Sequence, residues 1–250
     1  MTKVILHGCC GRMGHMITDL AGSDPDIEIV AGVDSYGEAY AGYPVYRSLS
    51  DCPAADVVVD FSNAAAMDAL LTYCGETKTP VAVCTTGLSA AQTELLAATA
   101  EKTAVLKSAN MSVGINLLEN VLKEVAPRLA QAGFDIEIVE KHHNQKMDAP
   151  SGTAIALADT VNDALEEKYE YVYDRTGRRE KRPRKEIGIS AVRGGTIVGD
   201  HDVIFAGQDE VITFSHRAYS RAVFGKGALE AAKFLTGRAP GLYDMKDVLQ

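Results

Sequence analysis

Between Glu140 and Ala154 the chain reads EKHHNQKMDAPSGTA, with His142, His143 and Lys146 a few residues ahead of a Ser-Gly-Thr helix start. Histidine gives or takes a proton near neutral pH, and a lysine ammonium is both an acid and a point charge. Pro150 biases Ala149 toward extended backbone and Ser151 is a helix cap. Gly152 and Thr153 then present first-turn N–H groups that suit a carboxylate. The chemistry implied is protonation of a carbanion-like centre in an anionic molecule. A His-His pair alone reads as a surface loop, and the spacing supplies no further ligands, so no metal is expected. The cation cluster combined with an anion-ready helix start favours a site.

A second motif opens the chain. HGCCGRMG places Gly8, Gly11 and Gly14 after a strand and at the start of a helix, a one-residue variant of the dinucleotide fingerprint. Gly8, Cys9, Cys10, Gly11, Arg12 and Met13 are the expected pyrophosphate loop, whose charge would meet backbone N–H groups and the positive end of the helix. Asp34 closes the next strand, where a carboxylate accepts from ribose hydroxyls. It would repel a 2′-phosphate, favouring NADH, while Arg12 could neutralise one and keeps NADPH open. For the nicotinamide end three strand termini are candidates: Asp60-Phe61-Ser62; Cys84, Thr85 and Thr86; and Ser108, Ala109, Asn110 and Met111.

The elements that must position these groups follow from pattern. Short apolar runs (KVILH, EIVAGVD, DVVVDFS, PVAVCTTG, AVLKSAN) alternate with Ala-rich helical stretches begun by Asn63 and Ser89, which predicts parallel βαβ units over residues 1–112. From residue 113 the pattern changes to a long amphipathic helix, the strand FDIEIVE, a second helix and then strands separated by Gly194-Gly195 and Gly207-Gln208-Asp209, both read as hairpin turns. The fold class expected is α/β: an N-terminal Rossmann-like doubly wound parallel sheet plus a C-terminal α+β domain with an open mixed or antiparallel sheet. The boundaries expected are 1–112, completed by the helical tail 222–250, and 113–221. The basic run 173–186 reads as a solvated loop, with a subunit contact or lid as the functional alternative.

Composition narrows the partners. At 250 residues and 46% hydrophobic the chain can bury a full core, and a net charge of -9 argues against nucleic acid. No apolar stretch is long enough for a membrane span, and the glycine motif begins too early for a signal peptide, so a cytoplasmic protein is expected. Five scattered cysteines argue for reduced thiols.

Taken together, GCCGRMG, VDFS at 59–62, CTTG at 84–87, SANMSVG at 108–114, EKHHNQKMDAPSGTA and RGGTIVGDH at 193–201 resemble the 4-hydroxy-tetrahydrodipicolinate reductase (dihydrodipicolinate reductase) family in order along nearly the whole chain. The resemblance implies NADH- or NADPH-dependent reduction of a cyclic imine dicarboxylate to tetrahydrodipicolinate, on the diaminopimelate route to lysine. It implies His142 as catalytic proton donor and acceptor and Lys146 as proton donor. His143, Gly152 and Thr153 would contact the substrate, and Arg221 would lie near the return to the first domain. It further implies a homotetramer joined through the second-domain sheets and hinge closure between domains. Cys84 and Met111 depart from the family's usual glycine and aromatic. Two other readings compete: an aldehyde dehydrogenase with Cys84 as thiol nucleophile, and a non-catalytic dinucleotide sensor holding a partner through loop 173–186.

Overall fold

The computed structural model describes residues 1–36 and 42–249. The chain opens with β1 (Thr2–His7), α1 (Arg12–Ala21), β2 (Ile27–Val33), β3 (Val45–Tyr46), β4 (Val57–Asp60), α2 (Met67–Thr77), β5 (Val81–Val83), α3 (Ala90–Ala100) and β6 (Ala104–Lys107). It continues with α4 (Val113–Gln131), β7 (Asp135–His142), α5 (Gly152–Ala164), β8 (Glu170–Val172), β9 (Glu186–Arg193), β10 (Gly199–Ala206) and β11 (Val211–Ala218). It closes with α6 (Ala222–Leu235), β12 (Gly241–Tyr243) and α7 (Met245–Val248). Two compact units result: Met1–Val113 with Ala222–Gln250, and Gly114–Arg221.

The first unit is a Rossmann-like parallel sheet of seven strands in the order β12-β6-β5-β4-β1-β2-β3. From β1 the chain builds outward one way through β2 and β3, then returns to β4 on the other side, so a topological switch point lies between β1 and β4. Unbroken apolar runs are what a sheet covered on both faces requires. In β4, Val57 and Val59 enter a core with residues of α1 and α6, while Val58 enters the opposite core with residues of α2 and α3. Asn63 and Ser89 cap as the sequence suggests, Ser89 through a reciprocal capping box with Gln92. The tail holds a strand that its helical pattern concealed: β12 lacks a β-branched run and is extended because the free edge of β6 offers it a ladder.

The second unit is a mixed sheet in the order β11-β10-β7-β9-β8. β8, β9 and β7 run parallel, and β10 is antiparallel to both β7 and β11. Gly207 to Glu210 form the expected hairpin, with Asp209 at φ 64°. Gly194-Gly195 do not: β7 lies between β9 and β10, so the chain crosses the end of β7, where Gly194 N–H donates to the His142 carbonyl at 2.9 Å. The glycine pair therefore carries a crossover, and its immediate neighbour is the histidine of the chemical motif. One sheet face packs Ile136, Ile138, Ile187, Ile189, Val203 and Phe205 against α4 and α5.

Three arginines of the basic loop are neutralised within the fold. Arg175 makes a bidentate pair with Glu137 at 3.0 and 2.8 Å, and Arg178 pairs with Glu186. Arg182 binds Glu137 and Asp135 at 2.9 Å each and two strand carbonyls besides. These arginines fasten the loop to the edges of β7 and β9.

Candidate active site

Simple alternation in β7 builds the site of the second unit. Ile136 and Ile138 point into the apolar core, and on the same face follow Glu140 and His142, both buried. A carboxylate with no exposed surface is costly unless compensated. Arg193 donates from Nη1 to Glu140 Oε2 at 2.8 Å and from Nη2 to Oε1 at 2.7 Å. The Ser151 backbone N–H donates to Oε1 at 3.0 Å, and His142 Nδ1 lies 2.6 Å from Oε2. Register delivers the arginine, because parallel pairing sets Arg193 of β9 opposite His142. Burial alone would raise the Glu140 carboxyl, but Arg193, His142 and the Ser151 N–H outweigh it and hold it below its ordinary range.

Burial is the larger influence on His142 and lowers its pKa against the pull of Glu140. With Nδ1 committed to Glu140, proton exchange falls to Nε2. His201 of β10 packs edge-on against this ring with centroids 5.2 Å apart, and its Nε2 lies 3.1 Å from Ser151 Oγ. Burial and then the neighbouring His142 push His201 down to about 4, so it is neutral at pH 7. Ser151 caps α5 as expected, its Oγ accepting from the Ala154 N–H at 3.2 Å. The helix start is thus shared: the Ser151 N–H serves the protein's own Glu140, while Gly152, exposed, and Thr153, half-buried, lead the first turn.

The intervening loop turns back on itself. Lys146 N–H donates to the carbonyl of half-buried His143 at 3.1 Å, and Lys146 Nζ lies 2.8 Å from Asp148 Oδ1, holding that carboxyl low. Arg193 Nη2 also donates to the Asp148 carbonyl at 2.7 Å, tying the loop to the buried clamp. His142, His143, Lys146, Gly152 and Thr153 all belong to one strand end, one loop and one helix start.

In the first unit, Gly8 to Met13 form the turn from β1 into α1. Gly8 has φ +81° and a Cβ there would lie 2.6 Å from the Phe61 carbonyl oxygen, while a Cβ at Gly14 would lie 2.3 Å from that of Cys9. The chain's own close packing demands both glycines. Asp34 joins the loop directly, Oδ2 accepting from the Cys10 N–H at 2.9 Å and Oδ1 from the Tyr36 N–H at 3.0 Å. Arg12 is exposed, and Arg47 donates to the Asp34 carbonyl at 3.2 Å.

The three strand ends differ in character. Asp60 is buried and accepts from Ser62 Oγ at 2.5 Å with His7 Nδ1 at 3.0 Å. Burial would raise its carboxyl, yet His7 and Ser62 hold it low. Thr85 is buried and Thr86 exposed, and Lys107 donates to the Thr85 carbonyl at 2.6 Å. Burial lowers the Lys107 ammonium pKa. Burial and then Asp60 push the Cys84 thiol well up, the reverse of what a thiolate nucleophile needs. Ser108 is half-buried, Ala109 is exposed, and Asn110 Oδ1 accepts from the Ser112 N–H at 2.8 Å. The Met111 side chain lies in the core with Cys9 and Ala228.

Residues 2–111 match the family description "Dihydrodipicolinate reductase, N-terminus", and residues 114–249 match "Dihydrodipicolinate reductase, C-terminus". The chain belongs to the dihydrodipicolinate reductase family. A 4-hydroxy-tetrahydrodipicolinate reductase from Caldanaerobacter subterraneus subsp. tengcongensis is 52% identical over 100% of this chain and 99% of its own. One from Clostridium tetani is 48% identical over 100% and 97%. Among solved structures, a dipicolinate-bound dihydrodipicolinate reductase from Paenisporosarcina sp. TG-14 superposes with a TM-score of 0.81 at 23% identity, covering 100% of both chains. A probable dehydrogenase from Thermotoga maritima superposes at 0.62 with 13% identity, over 98% of this chain and 92% of that one. This family chain carries its motif histidine in a setting that sequence reasoning left without roles: Glu140, Arg193 and His201. The alternation of β7 was the available signal for Glu140. The RGGTIVGDH motif marked Arg193, 53 residues away, but only the strand register gives it Glu140 as partner.

Proposed function

We propose that the protein reduces 4-hydroxy-tetrahydrodipicolinate, as the cyclic imine dicarboxylate formed on loss of water, to tetrahydrodipicolinate in the diaminopimelate route to lysine. The observation that carries this reading is the buried Glu140–His142 pair at 2.6 Å, clamped by Arg193 at the start of α5 and next to Lys146. His142 exchanges the proton at Nε2 while Glu140 fixes Nδ1–H and stabilises the imidazolium. Lys146 donates to the ring nitrogen. His143, Gly152 and Thr153 hold the two substrate carboxylates.

A bound nicotinamide supplies the hydride. The glycine turn with its helix N-terminus, and the carboxylate at the next strand end, fit a dinucleotide. Gly8, Cys9, Cys10, Gly11, Arg12 and Met13 line its pyrophosphate, Asp34 its ribose, and Cys84, Thr85, Thr86 and 108–111 its nicotinamide side. Asp34 favours NADH, and the nearby Arg12 and Arg47 are the groups through which NADPH would be tolerated. The unit Met1–Val113 with the tail is accordingly the dinucleotide domain, and Gly114–Arg221 the substrate and oligomerisation domain.

A homotetramer through the second sheet is supported by its outer face, where Val192 and Val211 are 46% and 62% exposed. A cytoplasmic location accords with a biosynthetic reductase drawing on the NAD(P)H pool. Among the described residues no helix is long and apolar enough to cross a membrane.

The test is oxidation of NADH by purified protein only when the cyclic substrate is generated in the assay. His142→Gln and Lys146→Ala should lower kcat by about 10²-fold or more with cofactor affinity unchanged. Unchanged kcat in both variants overturns the acid assignment. Turnover with NADPH, compared in wild type and Asp34→Ala, tests the preference.

A further inference from the structure

Three metal-ligating side chains converge at the glycine loop, and two of them, those of Cys9 and Cys10, have no use in the dinucleotide reading, which takes only backbone from the loop. The ligand atoms of Cys9, Cys10 and Asp34 all lie within 4.8 Å of one another. The two sulfurs are 3.8 Å apart. Two thiolates each about 2.3 Å from a tetrahedral zinc ion stand at nearly the same separation. Asp34 supplies a hard oxygen already oriented by the Cys10 and Tyr36 N–H groups.

The seat for the inner sulfur is built into the fold. Cys9 is buried, and its Sγ occupies the space of an absent side chain on β2, 2.5 Å from where a Cβ at Gly32 would lie. Two sulfurs and a carboxylate oxygen gathered this closely repel one another when charged. Groups that disfavour one another's negative charge are those that a dication relieves together.

We propose that Cys9, Cys10 and Asp34 bind a thiophilic divalent cation of the zinc class, and that the ion and the dinucleotide exclude one another. Both thiols give up their protons to solvent as the two metal–sulfur bonds form, the Asp34 carboxylate makes the third bond, and water completes the tetrahedron. Exclusion follows because the ion takes the carboxylate offered to the ribose and pins the loop that lines the pyrophosphate. That second half rests on the cofactor reading above; the ion site does not.

The full chain, reduced with a phosphine, is titrated with Cd²⁺ and followed by thiolate-to-cadmium charge-transfer absorption, with and without saturating NADH. Zn²⁺ is measured by competition with a chromophoric chelator. The expected result is one ion per chain. The absorption should disappear in Cys10→Ser, a half-buried position that tolerates the change, persist in Cys52→Ser and Cys74→Ser, and weaken in Asp34→Asn. NADH at about ten times its own Kd or above should raise the apparent Kd for the ion by about tenfold or more, and the ion should weaken NADH competitively in the same way. Absence of stoichiometric absorption, or its survival in Cys10→Ser, overturns the site. Absorption that NADH leaves unmoved, in protein shown to bind NADH, overturns the exclusion. Metal-free protein that fails to bind NADH overturns the cofactor reading instead, with the stoichiometry still deciding the ion site.

Discussion

Replacing Glu140 with glutamine keeps the shape and removes the charge, and the structure says what that does. Each carboxylate oxygen receives two donors: Oε2 takes His142 Nδ1 and Arg193 Nη1, and Oε1 takes Arg193 Nη2 and the Ser151 N–H. An amide NH₂ must face one of these pairs. Facing Arg193 Nη2 and Ser151, it opposes two donors that cannot change. Facing His142, it opposes one that can, since the neutral ring shifts its proton to Nε2. The second orientation is the cheaper, and in it the imidazolium is opposed by an N–H where it had a carboxylate. Losing one charge-assisted hydrogen bond of about 1.5–3 kcal/mol lowers the imidazolium pKa by about 1–2 units.

At pH 7.5 the acid form of Glu140→Gln therefore becomes about 10- to 10²-fold rarer, and kcat falls by about that factor while KM for NADH stays within about twofold. The pH limb of kcat assigned to His142 moves down by the same 1–2 units or so, in the direction expected when a carboxylate that raises the ring pKa is removed. Arg193 is left half-paired, so the variant also unfolds more easily, by about 2–4 kcal/mol. Assays belong at a temperature where circular dichroism shows both proteins folded. Folded Glu140→Gln with kcat within about threefold of wild type and an unmoved pH limb would falsify the clamp.

His142 and His201 both titrate below their ordinary value in the folded state, His201 at about 4. The stability this reflects is present above the unfolded histidine value of about 6.5 and is lost as pH falls through the folded value. His201 alone should cost about 3 kcal/mol between pH 6.5 and 4, seen as a falling urea midpoint that His201→Gln flattens; an equally steep fall in that variant rules the assignment out. Gly14→Ala should destabilise by about 2–3 kcal/mol and abolish NADH binding, because its Cβ would lie 2.3 Å from the Cys9 carbonyl oxygen; a wild-type melting temperature would contradict this. Arg182→Met should expose loop 173–186 to limited trypsin cleavage with kcat within about twofold, and unchanged cleavage would show that the loop is held by something else.

Much of the molecule is legible locally. Apolar runs flanked by Gly-rich turns specify parallel strands because a sheet covered on both faces excludes polar side chains, and Ser89 and Ser151 mark helix starts because their hydroxyls satisfy N–H groups within three residues. The glycine turn, Asp34 and the His142–Thr153 stretch are local in the same sense. Pairing decided the rest. Whether Gly194-Gly195 make a hairpin depends on β7 inserting between β9 and β10. That insertion places Arg193 against Glu140, turns an acidic residue of an alternating strand into the partner of His142, and leaves Arg175, Arg178 and Arg182 spent on Glu137 and Glu186. The compensation of a buried charge is set by which strands lie side by side, and hydrophobic period carries no record of that order.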